Sequence, residues 1–194
     1  MAAAAILATA TAGAFGVRLA EQGKFTAPFQ ASVGGPFSMT AQDGRRLTDK
    51  DLRGKPFAIF FGFTQCPDVC PTTMLEIANL MQRLGSDADR MRFLFVTLDP
   101  ERDTPDLLRD YLSSFDKRII GLRGTPEETE AIVRAYRVFY EKVPTKSGYA
   151  VNHTATTFLM DAEGRFAKTM AFGEDESARL KKLQDLIGAS APSG

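Results

Sequence analysis

The chain has 194 residues, enough for one domain with a short tail at each end, and 44% of them are hydrophobic, with fifteen Phe to build a core. Twenty-four basic residues balance twenty-four acidic ones, so no net charge draws the protein to a polyanion, and nucleic acid is not an expected partner. Two Cys cannot make a disulfide scaffold, and a Cys-x3-Cys pair is too poor for structural zinc, which takes four ligands.

Ala2 to Val17 carries no charge and is rich in Ala, Thr and Gly. As a helix it would reach ~24 Å at ~1.5 Å per residue, short of a ~30 Å hydrocarbon core. Residues 1–17 read as an export signal or membrane anchor, with a disordered Ala-rich tail as the alternative, since no basic residue precedes the apolar stretch as is usual. Residues 18–35 mix charge, Gly and Pro without periodicity and read as a linker. The domain is expected over 36–188, with 189–194 as a flexible tail.

Within the domain, Pro36 to Thr40 alternates and Gln42-Asp43-Gly44-Arg45 is a turn signal, which predicts a hairpin. Thr48 to Leu52 predicts a single helical turn ended by Gly54. Pro56 to Phe63 is a continuous apolar run, the pattern of a strand buried on both faces of a parallel sheet. Thr72 to Leu84 has a broad apolar helical face, ended by Gly85. Met91 to Leu98 is the next strand. Thr104-Pro105 opens a helix, and Thr125-Pro126-Glu127-Glu128 opens another with a capping box. Ile119 to Leu122 is a short strand between them.

Val138 to Val143, Ala155 to Asp161 and Arg165 to Phe172 are the remaining strands, the last two joined by a turn at Asp161-Ala162-Glu163-Gly164. Glu174 to Ile187 closes the chain as a helix. The order is that of an α/β, thioredoxin-like fold: a central, mostly parallel sheet with a C-terminal β-hairpin and helices on both faces. Functional groups in such sheets gather beyond the carboxyl ends of the strands, and Cys66 follows one.

Cys66 and Cys70 are the only cysteines, and each precedes a proline. A residue before proline is pushed out of the right-handed helical region. Pro71 is therefore expected to be the first helical residue and Cys70 its cap, behind a rigid turn over Cys66-Pro67-Asp68-Val69. Both sulfurs then lie at a helix N-terminus, which favours thiolate. Such a pair suits Cu(I), with an imidazole as third ligand, or a disulfide that opens and closes. Two adjacent core cysteines are the bland alternative. His153, the only histidine, precedes the strand at Ala155, beside the cysteine turn in a thioredoxin-like fold. Asn152-His153-Thr154 also spells a glycosylation sequon, read as coincidence beside a buried site.

Three stretches resemble the SCO/SenC family of copper chaperones. They are Phe63-Thr64-Gln65-Cys66-Pro67-Asp68-Val69-Cys70-Pro71-Thr72, then Thr97-Leu98-Asp99-Pro100-Glu101-Arg102-Asp103-Thr104-Pro105, and Val151-Asn152-His153-Thr154 with Phe158-Leu159-Met160-Asp161. The likeness runs from about Gly35 to Ile187. It implies copper, as Cu(I) and/or Cu(II), bound by Cys66, Cys70 and His153. The cargo would go to the binuclear copper centre in the copper-binding subunit of cytochrome c oxidase, with other copper chaperones or thioredoxin-like reductases as further partners. It also implies a membrane tether through the N-terminal segment, facing the bacterial periplasm or, alternatively, the mitochondrial intermembrane space; no transit peptide is recognisable, which favours the first.

On this reading the chain is not an enzyme in the turnover sense. The alternative is a thiol–disulfide oxidoreductase whose redox-active pair, Cys66 and Cys70, reduces the cysteines of the same oxidase subunit. Asn152 stands where the family commonly has Asp. Ala155 stands where thiol–disulfide enzymes of this fold carry a cis proline, which opens space beside the sulfurs. Asp99 and Asp103 are expected in turn or capping roles, with partner contact as the alternative.

Overall fold

The computed structural model describes residues 33–146 and 148–190. The expected anchor at 1–17, most of the expected linker and the last four residues lie outside them. Among the described residues no helix is long and apolar enough to cross a membrane.

The apolar run forms β3 (Phe57–Gly62), every residue of which is buried. Parallel to it lies β4 (Arg92–Thr97), and parallel to that β5 (Ile119–Arg123), with Phe60 opposite Phe95 and Val96 opposite Leu122. Near-continuous hydrophobic sequence is what such a doubly covered parallel centre requires. The predicted N-terminal hairpin, β1 (Ser38–Ala41) and β2 (Arg46–Thr48), adds antiparallel to β5. On the other side β8 (Thr156–Met160) runs antiparallel to β3 and carries β9 (Phe166–Ala171). The seven strands lie in the order β2-β1-β5-β4-β3-β8-β9.

Four helices cover this sheet: α1 (Val69–Leu84), α2 (Pro105–Ser113), α3 (Pro126–Tyr136) and α4 (Glu176–Ala189). Successive residues of a strand point to opposite faces, and the aromatic contacts show both faces in use. Phe61 meets Tyr136 of α3 at 5.3 Å on one face, while Phe60 meets Phe95, which meets Tyr111 of α2, on the other. The expected caps are in place. Thr104 accepts from the Leu107 N–H, and Thr125 with Glu128 forms a complete capping box. Gly85 ends α1 with φ of 58°, a conformation only glycine adopts cheaply.

Two elements differ from expectation. A separate two-stranded sheet, β6 (Tyr140–Thr145) and β7 (Gly148–His153), stands apart from the main one. β7 escapes a sequence reading because the pair is largely exposed, with Val151 its one fully buried side chain, so no apolar alternation marks it. The second difference lies at α1. It starts at Val69 with Asp68 as its N-cap, so Cys70 is the second helical residue and not the cap. Pro71 is tolerated at the third position because the N–H groups of a first turn have no helical partner to lose. The steric bias of Cys70 as a residue before proline gives way to that.

Candidate metal centre

Between β3 and α1 the chain makes a tight turn, the Cys66 N–H donating to the Phe63 carbonyl at 3.3 Å. What holds this turn is Asp103, fully buried beyond the end of β4. Its carboxylate accepts from the Thr64 N–H at 3.0 Å, the Thr64 hydroxyl at 2.6 Å and the Thr97 hydroxyl at 2.5 Å. Burial pushes the Asp103 pKa up, and those donors work against it. Asp99 is equally buried. Its carbonyl accepts from the N–H groups of Arg102 and Asp103, which gives it the turn role expected and leaves neither acid exposed for partner contact.

Asp68 caps α1 without a side-chain bond. A sulfur does that work instead: the Cys70 N–H donates to Cys66 Sγ at 3.4 Å. The free N–H groups and dipole of a helix start stabilise charge on that sulfur. Cys66 is half-buried and Cys70 fully buried. The two thiols are therefore unequal. The Cys66 pKa is lowered to about 3, chiefly because the Cys70 thiol donates to it, with help from the backbone N–H groups of Asp68 and Cys70 and against its own burial. Cys70 moves the opposite way, since its proton is the one shared with Cys66 and burial disfavours its anion. The metal-free pair holds one negative charge, on Cys66.

His153 ends β7. Its Nδ1 lies 3.0 Å from the Thr154 carbonyl, which only accepts, so Nδ1 carries the proton. That leaves the Nε2 lone pair facing the sulfurs, 3.3 Å from Cys70 Sγ. The ring is held edge-on by Phe60 and Phe63, with centroids 6.0 and 6.1 Å away. The three sequence-expected ligand atoms all lie within 4.8 Å of one another. Two soft sulfurs and one imidazole nitrogen this close together match the donor set a cuprous ion takes.

A cleft of about 420 Å³ opens on the site, lined by Phe63, Cys66, Asp68, Val151, His153 and Ala155. Ala155 thus borders open space beside the sulfurs, where a bulkier residue would project. Asn152 is exposed, so the expected buried setting of its sequon does not hold. The adjacent basic residues Arg45-Arg46 and Lys181-Lys182 are paired with acids: Arg45 with Asp43, Arg46 with Glu128, Lys181 with Asp185 and Lys182 with Glu174.

Sequence reading missed one residue of the site. A Cβ on Gly62 would stand 2.8 Å from Cys70 Sγ, 2.9 Å from Phe60 Cε1 and 3.1 Å from Phe95 Cε2. The signal was there, since a lone glycine inside a strand pattern marks close approach.

A family model described as SCO1/SenC matches residues 25–188. The mitochondrial SCO1 homolog 1 of Arabidopsis thaliana is 40% identical over 142 residues, which are 72% of this chain and 42% of that protein. The human mitochondrial SCO1 homolog is 40% identical over 138 residues, 69% of this chain and 46% of that protein. The chain thus spans about half the length of these curated relatives. Among solved structures, Bradyrhizobium japonicum ScoI with copper bound is 45% identical and superposes with a TM-score of 0.75, covering 80% of this chain and 99% of the other.

Proposed function

The chain belongs to the SCO1/SenC family, and from that premise we propose that it carries copper on Cys66, Cys70 and His153 in the assembly of cytochrome c oxidase. The observation that carries the reading is the convergence of two sulfurs and the His153 imidazole nitrogen within 4.8 Å. Likeness to copper-bound relatives, ScoI of B. japonicum among them, supports it. Copper here is cargo. Cys66 presents its charge to the ion, while Cys70 gives up its proton on binding. His153 closes the set from the far wall of the cleft.

Release would run by ligand exchange. Cys66 and His153 border the open cleft while Cys70 is buried behind them. A partner's thiolates and imidazoles would therefore replace the two outer ligands first and Cys70 last. The recipient in this reading is the binuclear copper centre of the oxidase's copper-binding subunit. The tether through residues 1–17 and a periplasmic location complete it, resting on the apolar Ala2–Val17 stretch and the family resemblance.

One observation favours a second activity. The pairing of an accessible thiolate, Cys66, with a buried protonated thiol, Cys70, is the arrangement thiol–disulfide exchange uses. Cys66 would attack a partner disulfide and expel one partner sulfur. Cys70 would then displace the other, leaving a Cys66–Cys70 disulfide and a reduced partner.

A Cu(I) titration of the reduced chain under a competing chelator tests the copper reading. His153→Ala is expected to bind roughly tenfold more weakly or worse, since even outer-shell partners of a metal are worth about that much. Affinity equal to the parent's would remove His153 from the ligand set. Weak binding by the parent and the variant alike, with reductase activity lost in Cys66→Ser, would favour the second activity.

A further inference from the structure

His153 rides on an element that no strand ladder fixes to the sheet carrying the cysteines. β6 and β7 pair only with each other, and an isolated two-stranded hairpin is marginal by itself. Something else must hold Nε2 against Cys70. Tyr149, Val151 and His153 alternate onto the same face of β7. Val151 is buried and His153 is held by Phe60 and Phe63.

Tyr149, about 13 Å along the strand from His153 at ~3.3 Å per residue, meets a cluster of charges. Its hydroxyl donates to Asp99 Oδ1 at 2.7 Å and its carbonyl accepts from Arg102 Nη1 at 3.0 Å. The Arg102 guanidinium lies 3.8 Å from the centre of its ring while also bonding the Asp99 carboxylate. Lys142 of β6 pairs with Glu101 at 2.9 Å and sits 4.7 Å from the same ring. Every one of these partners, Asp99, Glu101 and Arg102, belongs to the turn that also contains Asp103. Asp103 in turn grips Thr64, two residues before Cys66.

We propose that the Asp99–Asp103 turn is a two-handed clamp that sets the distance between His153 and the cysteines, with Arg102 and Tyr149 as positioning residues for the third ligand. One hand, Asp103, holds the cysteine turn. The other, Asp99 with Arg102, holds the hairpin. The clamp touches no ligand atom and acts only by where it places His153.

The inference rests on the copper reading for its affinity arm, and its test separates the two. Tyr149→Ala and Tyr149→Phe are made in the parent and in His153→Ala, and each is titrated with Cu(I) under a competing chelator. Tyr149→Ala should weaken Cu(I) binding about tenfold in the parent. Tyr149→Phe keeps the ring beneath Arg102 and should recover part of that. In the His153→Ala background neither should change the affinity, because the clamp has no ligand left to place. In the metal-free parent, amide exchange over Gly148–His153 should quicken with Tyr149→Ala while β3 and β4 keep their protection.

Equal losses in both backgrounds would mean general loosening and overturn the clamp, as would parental affinity in Tyr149→Ala or unchanged exchange in the hairpin. A parent chain that takes up no Cu(I) overturns the copper reading, and with it the clamp's effect on affinity.

Discussion

Replacing Gly62 with Ala is a stringent test of how the site is built. The added Cβ meets Cys70 Sγ at 2.8 Å, Phe60 Cε1 at 2.9 Å and Phe95 Cε2 at 3.1 Å. None of the three neighbours has any exposed surface to retreat into beyond the core itself: Cys70, Phe60 and Phe95 are each 0% exposed. Ordinary contact therefore requires the sulfur and the Phe60 ring to shift by roughly half an ångström in close-packed surroundings. Overpacking of this kind costs about 1–3 kcal/mol. The smaller entropy of an unfolded chain with Ala returns ~0.4–1 kcal/mol, so a net loss of about 1–2 kcal/mol remains.

For a chain of this length that is a fall in Tm of roughly 2–8 °C, measurable by thermal unfolding of the metal-free, reduced protein. Because Cys70 is among the atoms displaced, Cu(I) affinity should fall as well, by about tenfold. Gly121→Ala on β5 is the control. Its Cβ would crowd Leu112 Cδ1 at 2.6 Å, and none of its close neighbours is a ligand. It should lower stability and leave copper affinity alone. If Gly62→Ala keeps both the parental Tm and the parental affinity, the claim that this glycine makes room for the Cys70 thiol is wrong.

Two further outcomes follow from the same geometry. Cys66 has a folded-state pKa lowered to about 3 against an ordinary thiol near 8.5, so in the reduced, metal-free protein its alkylation by iodoacetamide should be as fast at pH 5 as at pH 7. In the unfolded chain the rate should fall about tenfold per unit below neutrality; the same steep fall in the folded protein would refute the depressed pKa. By linkage, the stabilisation from this thiolate is fully present above the unfolded thiol's pKa and is lost as pH falls toward 3. Asp103→Ala should cost roughly 2–4 kcal/mol in urea unfolding, since it strands the half-buried Thr64 N–H and the buried Thr97 hydroxyl. A loss under about 0.5 kcal/mol, the range of unremarkable surface changes, would deny it a structural role.

How much of this could be read from the chain depends on the range over which each feature is encoded. The doubly buried β3 and the helix starts at Thr104 and Thr125 are local statements, written in runs of apolar residues and in caps, and the structure has them as read. The meeting of Cys66, Cys70 and His153 was legible because these residue types are so scarce that their places at strand ends stood out. Local rules also misled. The bias of a residue before proline suggested that Cys70 lies outside α1, while the fold places it in the first turn, where the prolyl nitrogen has no bond to lose. Other features have no local signature. Asp103 serves Thr64 across 39 residues, and Arg102 meets Tyr149 across 47, so nothing near either one announces the contact. β7 is polar on its outer side and lacks the alternation that reveals a strand, while its partner β6 overlaps the strand read over Val138 to Val143.

The sulfur of Cys66 at the start of α1 has a consequence for the empty protein. In small zinc domains the ion is a structural member, and its removal unfolds the chain. Here the anion has a resident counterpart in the Cys70 N–H and thiol, and the cysteines stand beside a main sheet whose core is built on buried aromatic residues, Phe60, Phe61 and Phe95 among them. On the proposed reading, loss of copper would leave the Cys66 thiolate still hydrogen-bonded by Cys70 and the aromatic core still closed.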